Sequence, residues 1–416
     1  MLQRCLFIVF IFVCCWNCKK EMMPVTPTAS SHNTMLLSDL NKNIPLVLVS
    51  GDKTVTALNA LTGDEVYFDD RLFRFDDLYL SQTPFIFGKT AIYFMGNKVT
   101  AVDLNGNSIK WSTYIARDLQ KFELYRTSPP FVYDSVLYFT LKFYNANGFN
   151  TSADFFSINI LDGKINWQQG VGIVSDFGNS KQVPVCTNTF AIVAVYDTLS
   201  AFNRLTGQSS WKFAGTPLSR LLNPCVHQNK IFVAADVNAS SLNDTLFAVN
   251  SNDGTLLWAK PIGSFGFNPA PVYNKGSVFI NLINGVSCLD AETGNERWRF
   301  VDSSTTFSPV FVDDEKVYVS NTYHRTLYAI DVLHGLLIWK TKVTKSNGLL
   351  NLEEGPAVMD NLVYLRNSSC YALDKITGII RWTTVLHNGQ LSNPPFVPNL
   401  VNANGVPVFY SSSGMR

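Results

Sequence analysis

Tyr371-Ala372-Leu373-Asp374-Lys375-Ile376-Thr377-Gly378-Ile379-Ile380-Arg381-Trp382 reads as two β-strands joined by a tight turn. Residues up to Leu373 alternate and end in Asp374, whose short carboxylate can accept from backbone N–H groups two residues on. Gly378 supplies the residue that tolerates φ > 0, which a hairpin loop of three to five residues requires. The second strand then runs to Trp382.

The pattern occurs eight times. The other copies centre on Asn59…Gly63…Tyr67, Asp103…Asn107…Trp111, Asn159…Gly163…Trp167, Asn203…Gly207…Trp211, Asn250…Gly254…Trp258, Asp290…Gly294…Trp298 and Asp331…Gly335…Trp339. In every copy four positions separate the Asp or Asn from the turn residue, and four more lead to the aromatic. Asn107 stands in for Gly in the second copy, as the other residue that enters the left-handed region cheaply. The turn residues follow one another at intervals of 40 to 56 positions. A period in the forties built of strands points to a propeller or a related repeat array.

Each interval has room for four strands. The seventh shows Ser308–Val312, Lys316–Ser320, Leu327–Asp331 and Leu336–Trp339; the eighth shows Gly355–Val358, Asn361–Leu365 and the quoted hairpin. Pro309 and Pro356 open the first strands, where a missing N–H does least harm. The first copy, beginning at Pro45, lacks an innermost strand, while Asn393–Val397 and Val406–Ser411 lie past Trp382 without a hairpin of their own. The expectation is an all-β, eight-bladed propeller of four-stranded antiparallel blades. The C-terminal segment closes its ring by completing the first blade and removes exposed edges. Seven blades is the alternative.

Composition sets the remaining bounds. The chain has 416 residues, 46% hydrophobic content and a net charge of +1, with no basic run beyond Lys19-Lys20. Nothing in that balance points to nucleic acid. At the N-terminus, Arg4 precedes an apolar run from Leu6 to Trp16. That run is too short to span a bilayer, which takes about 20 residues, and it reads as an export signal. Cys14, Cys15 and Cys18 crowd its end. The arrangement resembles a bacterial lipoprotein signal and implies lipidation at Cys18, with Cys15 as the alternative because Asn17 is not the usual small residue. The expected organisation is a signal at 1–18, a Pro/Ser/Thr-rich tether at 19–43, and the propeller at 44–416.

The four later cysteines, Cys186, Cys225, Cys288 and Cys370, read as small buried hydrophobes. Period-2 alternation turns Cys186 and Cys225 to opposite sides of their blades. The five histidines (His32, His227, His324, His334 and His387) fall in loops, turns or beside strand ends. They form no spacing typical of a metal site or a nucleophilic constellation.

The repeat Ala-x-Asp-x-x-Thr-Gly-x-x-x-Trp resembles the PQQ-like, quinoprotein-type β-propeller repeat family over residues 45 to 416. That family holds quinoprotein dehydrogenases and a non-enzymatic branch, including the propeller lipoprotein of the outer-membrane β-barrel assembly machinery. The resemblance implies that Trp111, Trp167, Trp211, Trp258, Trp298, Trp339 and Trp382 act as structural staples between blades. It leaves two functional classes. One is a non-catalytic, cofactor-free scaffold or binding module at the cell envelope, an outer-membrane lipoprotein. The other is a dehydrogenase using PQQ and calcium. The second is disfavoured because every Trp after the signal belongs to the repeat motif, and no acidic loop has calcium spacing.

A binding face can also be assigned. Strands alternate direction, so first-to-second and third-to-fourth turns share one face, and second-to-third and blade-to-blade connections share the other. The latter connections vary and carry Arg71, Arg74, Tyr79, Arg117, Tyr125, Arg126, Tyr144, Tyr323 and Arg325. Phe143 and Phe265 are placed there as well. Arg and aromatics on loops are what interaction hot spots are made of. The expected partners are other envelope proteins or glycans (a polysaccharide-binding role included), with the membrane reached through the lipid anchor and the propeller itself a monomer.

Overall fold

The computed structural model describes residues 45–50, 55–69, 85–87, 90–95, 98–103, 108–115, 124–144, 150–172, 183–216, 219–236, 244–266, 269–303, 307–321, 324–343, 355–366, 369–385, 399–401 and 407–408. The proposed signal and tether, with Cys15 and Cys18, lie outside them. The described strands form eight antiparallel sheets, and no helix occurs among the described residues. The protein is an eight-bladed β-propeller.

The repeated hairpin builds each blade's outer half. In blade 8, Ser369–Asp374 pairs with Ile380–Val385, placing Ala372 opposite Trp382. The turn between them is closed by Asp374, whose Oδ1 accepts from the amides of Ile376 (3.0 Å) and Thr377 (2.8 Å) and from the Thr377 hydroxyl (2.9 Å). Gly378 sits at φ 71°, and its N–H donates to the Asp374 carbonyl at 2.8 Å. A short carboxylate or amide at this place satisfies the turn amides locally, which is why only Asp or Asn occupies it.

Blades 2 to 8 follow in chain order, spanning 85–114, 124–172, 185–214, 220–261, 272–301, 311–342 and 357–385. Blade 1 joins both ends of the chain. Leu46–Ser50 pairs with Val55–Asn59 along its whole length, leaving one edge, and Asn399–Val401 takes that edge. Pro407–Val408 lies beyond it as a fifth strand. This refines the sequence expectation. The strand that completes the blade beside Leu46–Ser50 is 399–401 rather than 393–397, which lies outside the described residues, and Leu46–Ser50 itself is the second strand. The indole of Trp382 reaches from blade 8 to the Ala60 carbonyl of blade 1 at 3.0 Å, so the ring is closed.

The core lies between blades. One apolar cluster joins blades 4 and 5 through Ile192, Trp211, Leu221 and Phe247; another joins blades 8 and 1 through Tyr364, Trp382, Val47 and Leu58. A strand inside a blade is therefore covered on both faces. That explains unbroken runs such as Ile231-Phe232-Val233-Ala234-Ala235, all buried, in place of a hydrophobic–polar alternation. The four body cysteines are buried thiols within these interfaces. Cys186 packs with Phe155 and Trp167 of blade 3, whereas Cys225 lies against the Tyr273 backbone of blade 6, opposite directions as alternation requires.

Candidate interaction faces

The repeat's tryptophans share one geometry. Each indole N–H donates to the next blade's turn, at the carbonyl one residue past the Asp or Asn. Trp111 reaches Ile160 (3.0 Å), Trp167 reaches Arg204 (2.9 Å) and Trp211 reaches Ser251 (3.2 Å). Trp258 reaches Ala291 (3.2 Å), Trp298 reaches Val332 (3.1 Å) and Trp339 reaches Lys375 (3.2 Å). In three blades the Thr two residues beyond the Trp adds a second bond, from Thr113, Thr341 and Thr384 to the carbonyls of Gly163, Gly378 and Gly63. The turn Gly therefore meets a second demand besides its positive φ. A Cβ on Gly378 would stand 2.6 Å from the Trp339 ring.

These indoles define what the ring can hold. A quinone stacked on the axis needs an indole face, and all seven are turned into blade interfaces and hydrogen-bonded there. Among the described residues, no group of three or more His, Cys, Asp or Glu side chains could hold a metal ion. The described residues do not fit a quinone–calcium site.

Among the described residues, the face of second-to-third connections is built out on blade 3. Its second strand, Val136–Tyr144, and third strand, Asn150–Asn159, have 9 and 10 residues, against 6 and 6 in blade 7. The added length projects on this face. A short extra strand, Leu124–Thr127, pairs with it, setting Tyr125 opposite Phe143, Arg126 opposite Lys142 and Leu124 opposite Tyr144. Lys142–Thr151 is thus largely ladder, and only 145–149 remain as a connection, because the extra strand satisfies the backbone of the extension. The backbone pairing sets Tyr125 and Arg126 on one strand and Tyr144 on the strand beside it. The structure places Arg325 separately, in the second-to-third turn of blade 7 at φ 50°. Arg71, Arg74, Tyr79, Arg117 and Tyr323 lie outside the described residues.

Two residues assigned to this face belong instead to the core. Phe143 packs with Phe139 and Phe94 between blades 2 and 3, and Phe265 packs with Leu222 and Ile280. For Phe143 the alternate positions Leu137, Phe139 and Leu141 are apolar and outweigh its place near a loop, whereas Phe265 is drawn in by an antiparallel bridge to Leu282. His227 also differs from a solvated loop residue. It ends a strand of blade 5 and stacks on Tyr273 of blade 6 with ring centroids 3.6 Å apart.

The opposite face is the rim of the stereotyped turns. It carries features that single-residue scanning of the sequence missed: exposed Leu61, Leu161, Leu205, Leu333 and Ile376, each two positions past the Asp or Asn. Aligning the repeats shows an apolar residue at this place in five copies of eight. At the edge between blades 3 and 4, Arg204 lies over the Tyr133 ring (4.6 Å) and pairs with Asp134 at 2.9 Å, while Tyr133 is hydrogen-bonded to Asn188.

Residues 152–261, 195–349 and 242–394 each match the family described as outer membrane protein assembly factor BamB, together more than half of the chain. The chain belongs to this PQQ-like propeller family. A BamB of Yersinia pestis is 26% identical over 223 residues, which is 46% of this chain and 52% of that protein. The match therefore spans about half the length of that curated relative. BamB from Moraxella catarrhalis superposes with a TM-score of 0.54 at 14% identity, covering 81% of this chain and 92% of its own. A europium-containing methanol dehydrogenase superposes equally well, TM-score 0.54 at 11% identity, covering 73% and 78%. At such identities the two superpositions establish the shared propeller and nothing about chemistry.

Proposed function

We propose that this chain is a non-catalytic scaffold of the cell envelope that holds protein partners on the face of its second-to-third connections. In this reading it is tethered to the outer membrane through a lipid on Cys18 or Cys15. The blade 3 extension carries the reading. Its extra strand pairs by backbone hydrogen bonds with the lengthened second strand, and the sequence has Tyr125, Arg126 and Tyr144 on these two strands, on the face where blade lengths vary. Rigid aromatic and Arg anchors on a pre-ordered support are what a protein interface uses best. The family match supports envelope assembly as the setting, because its description names an outer membrane assembly factor. Commitment of every repeat Trp to a blade interface weighs against the dehydrogenase reading. The propeller would act as a fixed surface, with affinity set by the anchors and no conformational step.

The test is photo-cross-linking in the native envelope from positions 126 and 325, with identification of what is attached. Discrete protein adducts from position 126 that disappear when Tyr125 and Tyr144 are replaced by Ala support the platform. Adducts only to polysaccharide, or none from this face, would refute it.

A further inference from the structure

The turn face holds a surface that blade packing leaves uncovered. Leu61, Leu161, Leu205, Leu333 and Ile376 are between 58% and 79% exposed. Three of them stand on consecutive blades, 7, 8 and 1, and exposed Leu336, Leu337 and Ile379 widen the apolar surface around them. Blades 5 and 6 have Asn252 and Glu292 at the same turn position, so the apolar arc is confined to part of the rim. Single exposed aliphatics need no explanation, but one turn position repeating them on adjacent blades does.

These tips are held rigidly. The carbonyl directly before each one accepts the indole N–H of the preceding blade: Val332 from Trp298, Lys375 from Trp339 and Ala60 from Trp382. Turns of one kind in a propeller share a face, so the arc offers separate aliphatic points of similar height. A peptide partner asks for a groove or a free strand edge. A flat, fluid, apolar boundary asks only for exposed aliphatics at the right level.

Blade 1 says what that boundary is. The carbonyl of Pro45 accepts the N–H of Ala60 at 2.8 Å, one residue before Leu61. The preceding chain therefore joins the propeller on this face, beside the arc. That chain carries Cys15 and Cys18, the candidate lipid-bearing cysteines.

We propose that the arc on blades 7, 8 and 1 docks on a phospholipid bilayer and orients the propeller with its opposite face turned toward partners. This rests on the membrane-anchored reading above. The anchor supplies a high local concentration of membrane, so weak insertion of each tip is sufficient. The Asn252 and Glu292 side stays clear of the lipid.

The test compares the full chain with a Leu61→Asn, Leu333→Asn, Ile376→Asn variant. Both are mixed with vesicles of phosphatidylethanolamine containing phosphatidylglycerol, then followed by flotation and by amide hydrogen exchange. The expected result is flotation of both proteins. The vesicles should slow exchange about tenfold in the 59–63, 331–335 and 374–378 turns of the parent, and not in the variant. The replaced side chains are exposed, and matching thermal melts confirm that the variant is folded. Flotation with unchanged exchange in those turns overturns the docking while leaving the anchor in place. Failure of the parent to float overturns both. Slowing that appears without vesicles and rises with protein concentration assigns the arc to a second copy of the chain and also overturns the proposal.

Discussion

The indole of Trp167 occupies the space in which a side chain on Gly207 would begin: a Cβ there would lie 2.7 Å from its Cγ. The same indole donates to the Arg204 carbonyl, three residues before that glycine. One aromatic thus both fills and hydrogen-bonds the neighbouring blade's turn. The only copy without a Trp, Tyr67, precedes the only copy without a Gly, Asn107, which lies outside the described residues.

From this pairing, Trp167→Ala should lower stability by about 3–5 kcal/mol. Trp167→Phe should cost roughly 1–3 kcal/mol, chiefly from the half-buried Arg204 carbonyl left without its donor. Gly207→Ala combines the left-handed φ of 73° with the clash. In the background of Trp167→Ala the clash is gone, so the two losses should fall short of additive by about 0.5–3 kcal/mol. Urea unfolding of the four proteins measures this coupling, and strict additivity would contradict it.

Burial holds the body thiols unreactive. Loss of solvation pushes the pKa of the Cys225 and Cys370 thiols up to about 12 and that of Cys288 up to about 11, so none is a thiolate near neutral pH. Iodoacetamide should leave Cys186, Cys225, Cys288 and Cys370 unmodified in the native protein and alkylate all four in denaturant, as read by peptide mass mapping. Labelling of any of them under native conditions would show an interface opening.

Acid should weaken the turns. The Arg297 guanidinium, 2.6 Å from Asp290, and the turn amides of Thr293 and Glu292 hold that carboxyl down to about 2. A carboxylate depressed from an ordinary value near 4 contributes stability that is complete above about pH 4 and lost as pH falls through about 2. Asp374 is depressed in the same direction, by Arg381 first and then by its turn amides. Asp290→Asn should thus be less stable than the parent at neutral pH, with the gap closing toward pH ~2. Unfolding midpoints measured across that range check it; a constant gap would mean that the carboxylate charge contributes nothing.

On the proposed partner face, replacing Arg74, Tyr125 and Tyr323 together by Ala should leave the thermal melt unchanged and abolish capture of envelope proteins in pull-downs. Surface positions away from the core ordinarily shift stability by about 0.5 kcal/mol or less. Undiminished capture would remove these residues from the interface.

Much of this fold was legible in the chain before any coordinates. A hairpin with Asp or Asn, a left-handed turn residue and Trp at fixed offsets is local chemistry, and its recurrence counts the blades. The candidate partner face was legible as residue types on variable connections, but their arrangement was not. Phe143 and Tyr144 are adjacent aromatics at the edge of one connection, and only strand pairing reveals that Phe143 is buried between blades 2 and 3. The ladder that brings Arg126 opposite Lys142 joins residues 16 apart through backbone hydrogen bonds that neither segment makes alone. Ring closure by Asn399–Val401, the fit of each indole to the next blade's glycine, and the arc formed by Leu333, Ile376 and Leu61 all depend on long-range contact. They arise because a blade cannot bury its two faces by itself, so its neighbours determine which side chains are covered and which remain at the surface.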